Sequence, residues 1–107
     1  MKWQQRVADF ARRHSLLHDP ATHALDLVSE VGEVAKAILE GTDYGDRPFR
    51  PDAEFSAELG DTLYSLLALA EACGVDAGEA LEEALAKYEQ RLKRYGEAGS
   101  RPETQNL

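Results

Sequence analysis

Two short words in this chain match each other: Glu30-Val31-Gly32-Glu33 and Glu58-Leu59-Gly60-Asp61. Residues three apart lie on nearly one face of a helix, so each word aims two carboxylates at a common spot. Two such helices side by side bring four anionic groups together. That is costly unless a cation neutralises them, and an all-oxygen donor set favours a hard ion, with Mg²⁺ the natural candidate. A Mg²⁺ site in a small helical protein points to phosphate chemistry.

The elements that position these groups are legible as four helices. Trp3, Val7, Phe10, His14 and Leu17 recur at helical spacing. Asp19-Pro20 supplies an N-cap and a first-turn proline for a second helix, which runs to about Glu40 with Gly41 as its stop. The stretch from Gly41 to Pro51 is rich in Gly, Pro, Asp and Arg and reads as a loop, long enough to be functional. A third helix is expected from Asp52 to Cys73, closed by Gly74. A fourth opens on the Asp76-x-x-Glu79 capping-box pattern and closes at Gly96. No alternating pattern suggests a strand. The expected fold is an all-α four-helix protomer, one domain over residues 1–96, followed by a polar, flexible tail over 97–107.

Wheel positions at about 100° per residue sharpen this reading. Leu27, Val31, Val34 and Ile38 form the expected core stripe of the second helix, with Glu30 and Glu33 on one flank, roughly 70° and 130° from its centre. Leu59, Leu63, Leu66 and Ala70 form the equivalent stripe of the third, with Glu58 and Asp61 on the same-handed flank. The fourth helix has the stripe Leu81, Leu85, Tyr88 and Leu92, and there Lys87, Arg91 and Arg94 occupy the corresponding flank. Two acid flanks and one basic flank suit a metal-bridged anion. The bland alternative is a set of solvated faces, with the basic groups complementing a helix C-terminus. Trp3 and Phe10 read as core. His14 reads equally as a hydrogen-bonded core histidine or a substrate contact. His18 and His23 sit near a helix entry in no zinc-like spacing.

Bulk properties exclude several classes. A net charge of −8 argues against a nucleic-acid polymer as partner, though not against a nucleotide bound through a metal. A single cysteine, Cys73, rules out an intramolecular disulfide and a cysteine metal cluster. No apolar run is long enough to span a membrane, and the N-terminus has no signal-peptide pattern, so a cytoplasmic protein is expected. With 107 residues, a protomer buries a limited share of its surface, and oligomerisation is expected.

The stretch Leu27-Val28-Ser29-Glu30-Val31-Gly32-Glu33-Val34-Ala35-Lys36-Ala37-Ile38, followed by Ala57-Glu58-Leu59-Gly60-Asp61-Thr62-Leu63-Tyr64, resembles the MazG-type nucleoside triphosphate pyrophosphohydrolases. That family's mark is ExxE, a spacer of a couple of dozen residues, then ExxD; here residues 34–57, 24 in all, make the spacer. Gly74-Val75-Asp76, Ala80-Leu81 and Lys87 fit its fourth-helix opening and following lysine. The resemblance implies an all-α homodimer or homotetramer that hydrolyses a nucleoside triphosphate, noncanonical and deoxy forms included, to monophosphate and pyrophosphate in a house-cleaning role. It makes Glu30, Glu33, Glu58 and Asp61 the Mg²⁺ ligands, with Glu30 or Glu33 accepting the proton of the attacking water. Lys87 and Arg94 match its phosphate-holding positions. Arg91 stands where relatives often have asparagine and is a further substrate-contact candidate, as is His14. A tetramer is expected rather than a plain dimer.

Two alternatives stand beside this reading. A phosphoribosyl-ATP pyrophosphohydrolase shares the fold and acidic words, but its third-helix motif continues to a histidine where this chain has Ser65. A non-catalytic helical interaction module would carry the same acids as solvated charge. A carboxylate-bridged di-iron bundle fails, because no histidine has a glutamate three positions before it.

Overall fold

A computed structural model describes residues 2–99. It contains α1 (Lys2–Arg13), α2 (Pro20–Gly41), α3 (Ala53–Ala72) and α4 (Ala77–Tyr95), and no strand among the described residues. The all-α reading holds. The expected tail lies outside the described residues from position 100 onward. No helix among the described residues is long and apolar enough to cross a membrane. Helices α1–α3 form one compact unit ending at Asp76, and α4 belongs to a second beginning at Ala77.

Capping chemistry sets the helix limits. The Asp19 carboxylate accepts the Thr22 N–H at 2.9 Å ahead of Pro20, and the Asp52 carboxylate accepts the Phe55 N–H at 2.9 Å. Each satisfies an otherwise orphan donor of a first turn. The C-terminal ends of α1, α2 and α3 close in one manner. Leu16 N–H donates to the Ala11 carbonyl, Tyr44 N–H to Leu39 and Val75 N–H to Ala70. These reach-back bonds need a left-handed residue, supplied by Ser15 (φ 56°), Asp43 (φ 50°) and Gly74 (φ 69°) respectively.

Two expected boundaries therefore move. The first helix stops at Arg13, before His14 and Leu17. Gly41 is the last residue of α2 rather than its stop, because the left-handed turn falls on Asp43, Tyr44 and Gly45.

α3 is the hub of the first unit, with α1 and α2 both packed on it. α1 buries Gln4, Ala8 and Ala11, and small side chains allow this close approach. The buried Gln4 amide donates to Glu71 Oε1 at 3.1 Å and to the Val75 carbonyl at 2.8 Å, while Arg12 donates to Glu71 Oε2. This polar clamp ties α1 to the C-terminal end of α3. Trp3 and Phe10, expected in the core, are 57% and 47% exposed. They flank the buried row of α1 rather than belonging to it.

The apolar stripes show the largest difference from expectation. One covered row on α2 is His23, Leu27, Glu30, Val34 and Ala37, and one on α3 is Glu58, Thr62, Ser65, Leu69 and Ala72, beside which α3 also buries Leu67 and Ala68. Both advance by alternating steps of four and three, the spacing of a packed helix seam. Val31, Ile38, Leu59, Leu63 and Leu66, expected as core, stay exposed. So do Leu81, Leu85, Tyr88 and Leu92 on α4. Mean hydropathy favours the greasier row; the covered row of α3 contains smaller and more polar side chains.

Candidate metal centre

Glu30 and Glu58 are consequently part of the α2–α3 seam. Glu30 lies one turn after Leu27 and one before Val34 in the covered row, and Glu58 opens the facing row of α3. Gly41, eleven residues beyond Glu30, meets Phe49 in the segment leading into α3, so the two helices run antiparallel. This hairpin brings carboxylate oxygens of Glu30, Glu58 and Asp61 within 4.8 Å of one another. Glu30 and Glu58 are half-buried and Asp61 is exposed, leaving one open side.

The charges at this point are uncompensated. No hydrogen bond or ion pair from a protein group reaches any of the three carboxylates among the described residues. The Glu58 carboxyl is held above its ordinary value, first by loss of surrounding water, then by the negative charges of Glu33, Asp61, Glu30 and Glu54. Glu33 is exposed and outside the close trio, yet its charge acts on Glu58. Four of the expected acids are thus one electrostatic group, with three converging and Glu33 beside them.

The donor set fits a hard divalent cation. Three convergent oxygen ligands leave coordination positions for water and phosphate oxygens, as Mg²⁺ requires. Like-charged oxygens with no protein counter-ion are what such an ion would neutralise.

Of the remaining expected site residues, His14 belongs to the first unit and Lys87, Arg91 and Arg94 to the second. His14 is exposed just past α1, with its ring 4.6 Å from Phe10. Lys87 lies over the neighbouring Tyr88 ring at 5.2 Å. Arg91 is half-buried and donates to the Ala98 carbonyl at 3.5 Å, which engages part of its guanidinium in closing its own segment. Arg94 is exposed in the last turn of α4.

Gly60 and Tyr64, which the residue pattern left without a role, line an apolar groove of about 470 Å³ with Trp3, Val7, Phe10 and Leu63. Its floor is open at Gly60, where an added Cβ meets nothing within 4 Å. The signal was present in the sequence as a glycine beside each second acid, but spacing alone gave it no meaning. His23 is nearly fully buried, and its Nε2 accepts the His18 N–H at 2.9 Å. It fastens the α2 entry.

A comparison with protein families matches residues 18–95 to the MazG nucleotide pyrophosphohydrolase domain. The matched span runs from the α2 entry to the end of α4 and contains all four acids. No curated protein matches the chain.

Proposed function

From the premise that the chain belongs to the MazG nucleotide pyrophosphohydrolase family, we propose that it hydrolyses a nucleoside triphosphate between the α- and β-phosphates, with Mg²⁺ as cofactor. The observation that carries this reading is the convergence of Glu30, Glu58 and Asp61 from two helices, without a counter-charge among the described residues. These three residues and Glu33 would hold the ion. When bound, Mg²⁺ supplies charge neutralisation and Lewis-acid polarisation of phosphoryl oxygens.

The protein's own part is proton transfer and positioning. Water oxygen adds to the α-phosphorus and the α–β anhydride P–O bond breaks, giving nucleoside monophosphate and pyrophosphate. Glu30 or Glu33 accepts the water proton. Glu33 is favoured by position, because it stands beside the trio rather than within it. Lys87, Arg91, Arg94 and His14 are assigned to substrate contacts, the three cations to phosphate oxygens. The role we infer is removal of noncanonical or surplus nucleotides in the cytoplasm.

The active species we infer is a homo-oligomer, a tetramer rather than a dimer. Supporting it are the uncovered stripes Val31, Leu59, Leu63 and Leu66 beside the acid seam, and Leu81, Leu85 and Leu92 on α4. A monodisperse monomer in sedimentation at micromolar concentration would overturn this part.

The test is release of pyrophosphate from a panel of ribo- and deoxynucleoside triphosphates, with and without Mg²⁺. Wild type should yield monophosphate plus pyrophosphate only with the ion. Glu58→Gln should lose both turnover and Mg²⁺ binding. Glu33→Ala should lose turnover with less effect on the ion. Hydrolysis that survives Glu58→Gln would refute the assignment of the centre.

A further inference from the structure

The loop between α2 and α3 carries two guanidinium groups that the reading above does not use. Arg47 and Arg50, with Pro48 and Gly41, line a concavity of about 380 Å³. Neither arginine has an ion-pair partner among the described residues, although the chain carries a net charge of −8. Asp43 and Asp46 belong to the same loop but do not line the concavity, and Asp52 is engaged in capping α3. A pair of free arginines with a shared floor is the donor geometry suited to phosphate oxygens.

The loop is built to hold that geometry before any ligand arrives. Thr42 Oγ1 donates to the Ile38 carbonyl and accepts the Gly45 N–H, and the Arg47 N–H donates to the Thr42 carbonyl at 3.0 Å. Phe49 packs against Gly41 on one side and meets Phe55 edge-on, ring centroids 4.8 Å apart, on the other. Between these anchors Asp43, Tyr44 and Gly45 are held in succession at positive φ. Preorganised donors lose less on binding than donors on a mobile segment.

Position links the concavity to the acids. Gly41 is three helical turns beyond Glu30, which places it on the same α2 face about 16 Å along the axis. On the α3 side the interval is shorter: Glu58 is five residues, about 7.5 Å, beyond the first residue of α3, and Arg50 stands three residues before that helix begins.

We propose that Arg47 and Arg50 form a phosphate cradle that holds the distal phosphates of the substrate whose α-phosphoryl group lies at the Glu30–Glu58–Asp61 centre. This rests on the function proposed above. A separate phosphate compound would satisfy the same chemistry, and the experiment distinguishes the two sources.

The full-length chain, as wild type, Arg47→Ala/Arg50→Ala and the exposed control Arg13→Ala, is titrated with inorganic pyrophosphate in the presence of Mg²⁺. The KM and kcat of the best triphosphate are measured in parallel. Loss of two charge-assisted contacts predicts roughly a ten- to hundred-fold weaker pyrophosphate affinity and a similar rise in KM, with kcat within a few-fold of wild type. The control should change neither. Unchanged pyrophosphate affinity in the double variant overturns the cradle. Weakened pyrophosphate binding with unchanged KM overturns its assignment to the substrate and leaves the separate compound. If wild type turns over no triphosphate, the pyrophosphate titration still tests the cradle while the function fails by itself. Arg50→Lys should recover part of the affinity, since it keeps the charge without the fork.

Discussion

Replacing Gly41 by alanine adds one methyl group where the loop is braced. An ideal Cβ there lies 2.8 Å and 2.9 Å from two ring carbons of Phe49. Carbon atoms prefer about 3.5–4.0 Å, so the ring must retreat by roughly 0.8 Å. It has little room, because its other side meets Phe55. Overpacking of this kind costs about 1–3 kcal/mol, against which the helix-propensity gain of Gly→Ala at a last helical residue is below about 1 kcal/mol. Gly41 has no positive φ, so backbone strain adds nothing. The net expectation is a destabilisation of about 0.5–2 kcal/mol, or a fall in Tm of about 3–10 °C. Gly32→Ala is the matched control. Its Cβ meets nothing within 4 Å in mid-helix, so it should stabilise by about 1 kcal/mol. Thermal and urea unfolding followed by circular dichroism, at one protomer concentration, measures both. If Gly41→Ala proves as stable as Gly32→Ala, Phe49 does not brace the end of α2 and the preorganised loop is wrong.

Other expectations follow from the polar contacts. Glu71→Ala removes the acceptor of both Gln4 and Arg12. Because Arg12 is about half exposed, screening limits the ion pair, and the cost should be about 1–2 kcal/mol, read by urea unfolding. The pH dependence of metal-free protein should show two opposed windows. Glu58, whose carboxyl is raised chiefly by desolvation, makes the fold more stable as pH falls from its raised value towards the ordinary 4.5. Glu71, whose carboxyl is lowered chiefly by Arg12, contributes stability above the ordinary 4.5 that is lost as pH falls further. Unfolding curves across pH should lose the first effect in Glu58→Gln and the second in Glu71→Gln. His23→Leu strands the His18 N–H and should cost about 1–3 kcal/mol by thermal unfolding, whereas His23→Gln, which keeps an acceptor, should cost less.

Helix limits were legible because they are written in local chemistry. Asp19-Pro20, Asp52 and Gly74 each act within a turn of their own position, and the structure uses them so. Ser15 and Asp43 were not legible as stops, since neither residue type requires a left-handed backbone. The acids were found by their spacing, but their setting was misplaced. Hydropathy ranks Leu59, Leu63 and Leu66 above Glu58, Thr62 and Ser65, yet those leucines are exposed and the latter three are covered. A periodic pattern shows which residues share a face; it does not show which neighbour covers that face. Arg47 and Arg50 carry no periodicity at all, and only the folded loop brings them to one concavity.

The protomer's scarcity of interior has a consequence of its own. Ala8, Ala11, Leu67 and Ala68 are the buried apolar side chains among the described residues, and no large side chain there is fully buried. In the homo-oligomer proposed above, with the greasy rows covered by further copies, folding and association would become one equilibrium, with stability set by abundance. Each tenfold dilution then costs about 1.4 kcal/mol for every chain beyond the first. An assay at nanomolar enzyme and a melting curve at tens of micromolar would observe different populations of the same protein, and a rate that falls faster than linearly on dilution would be the first sign of it.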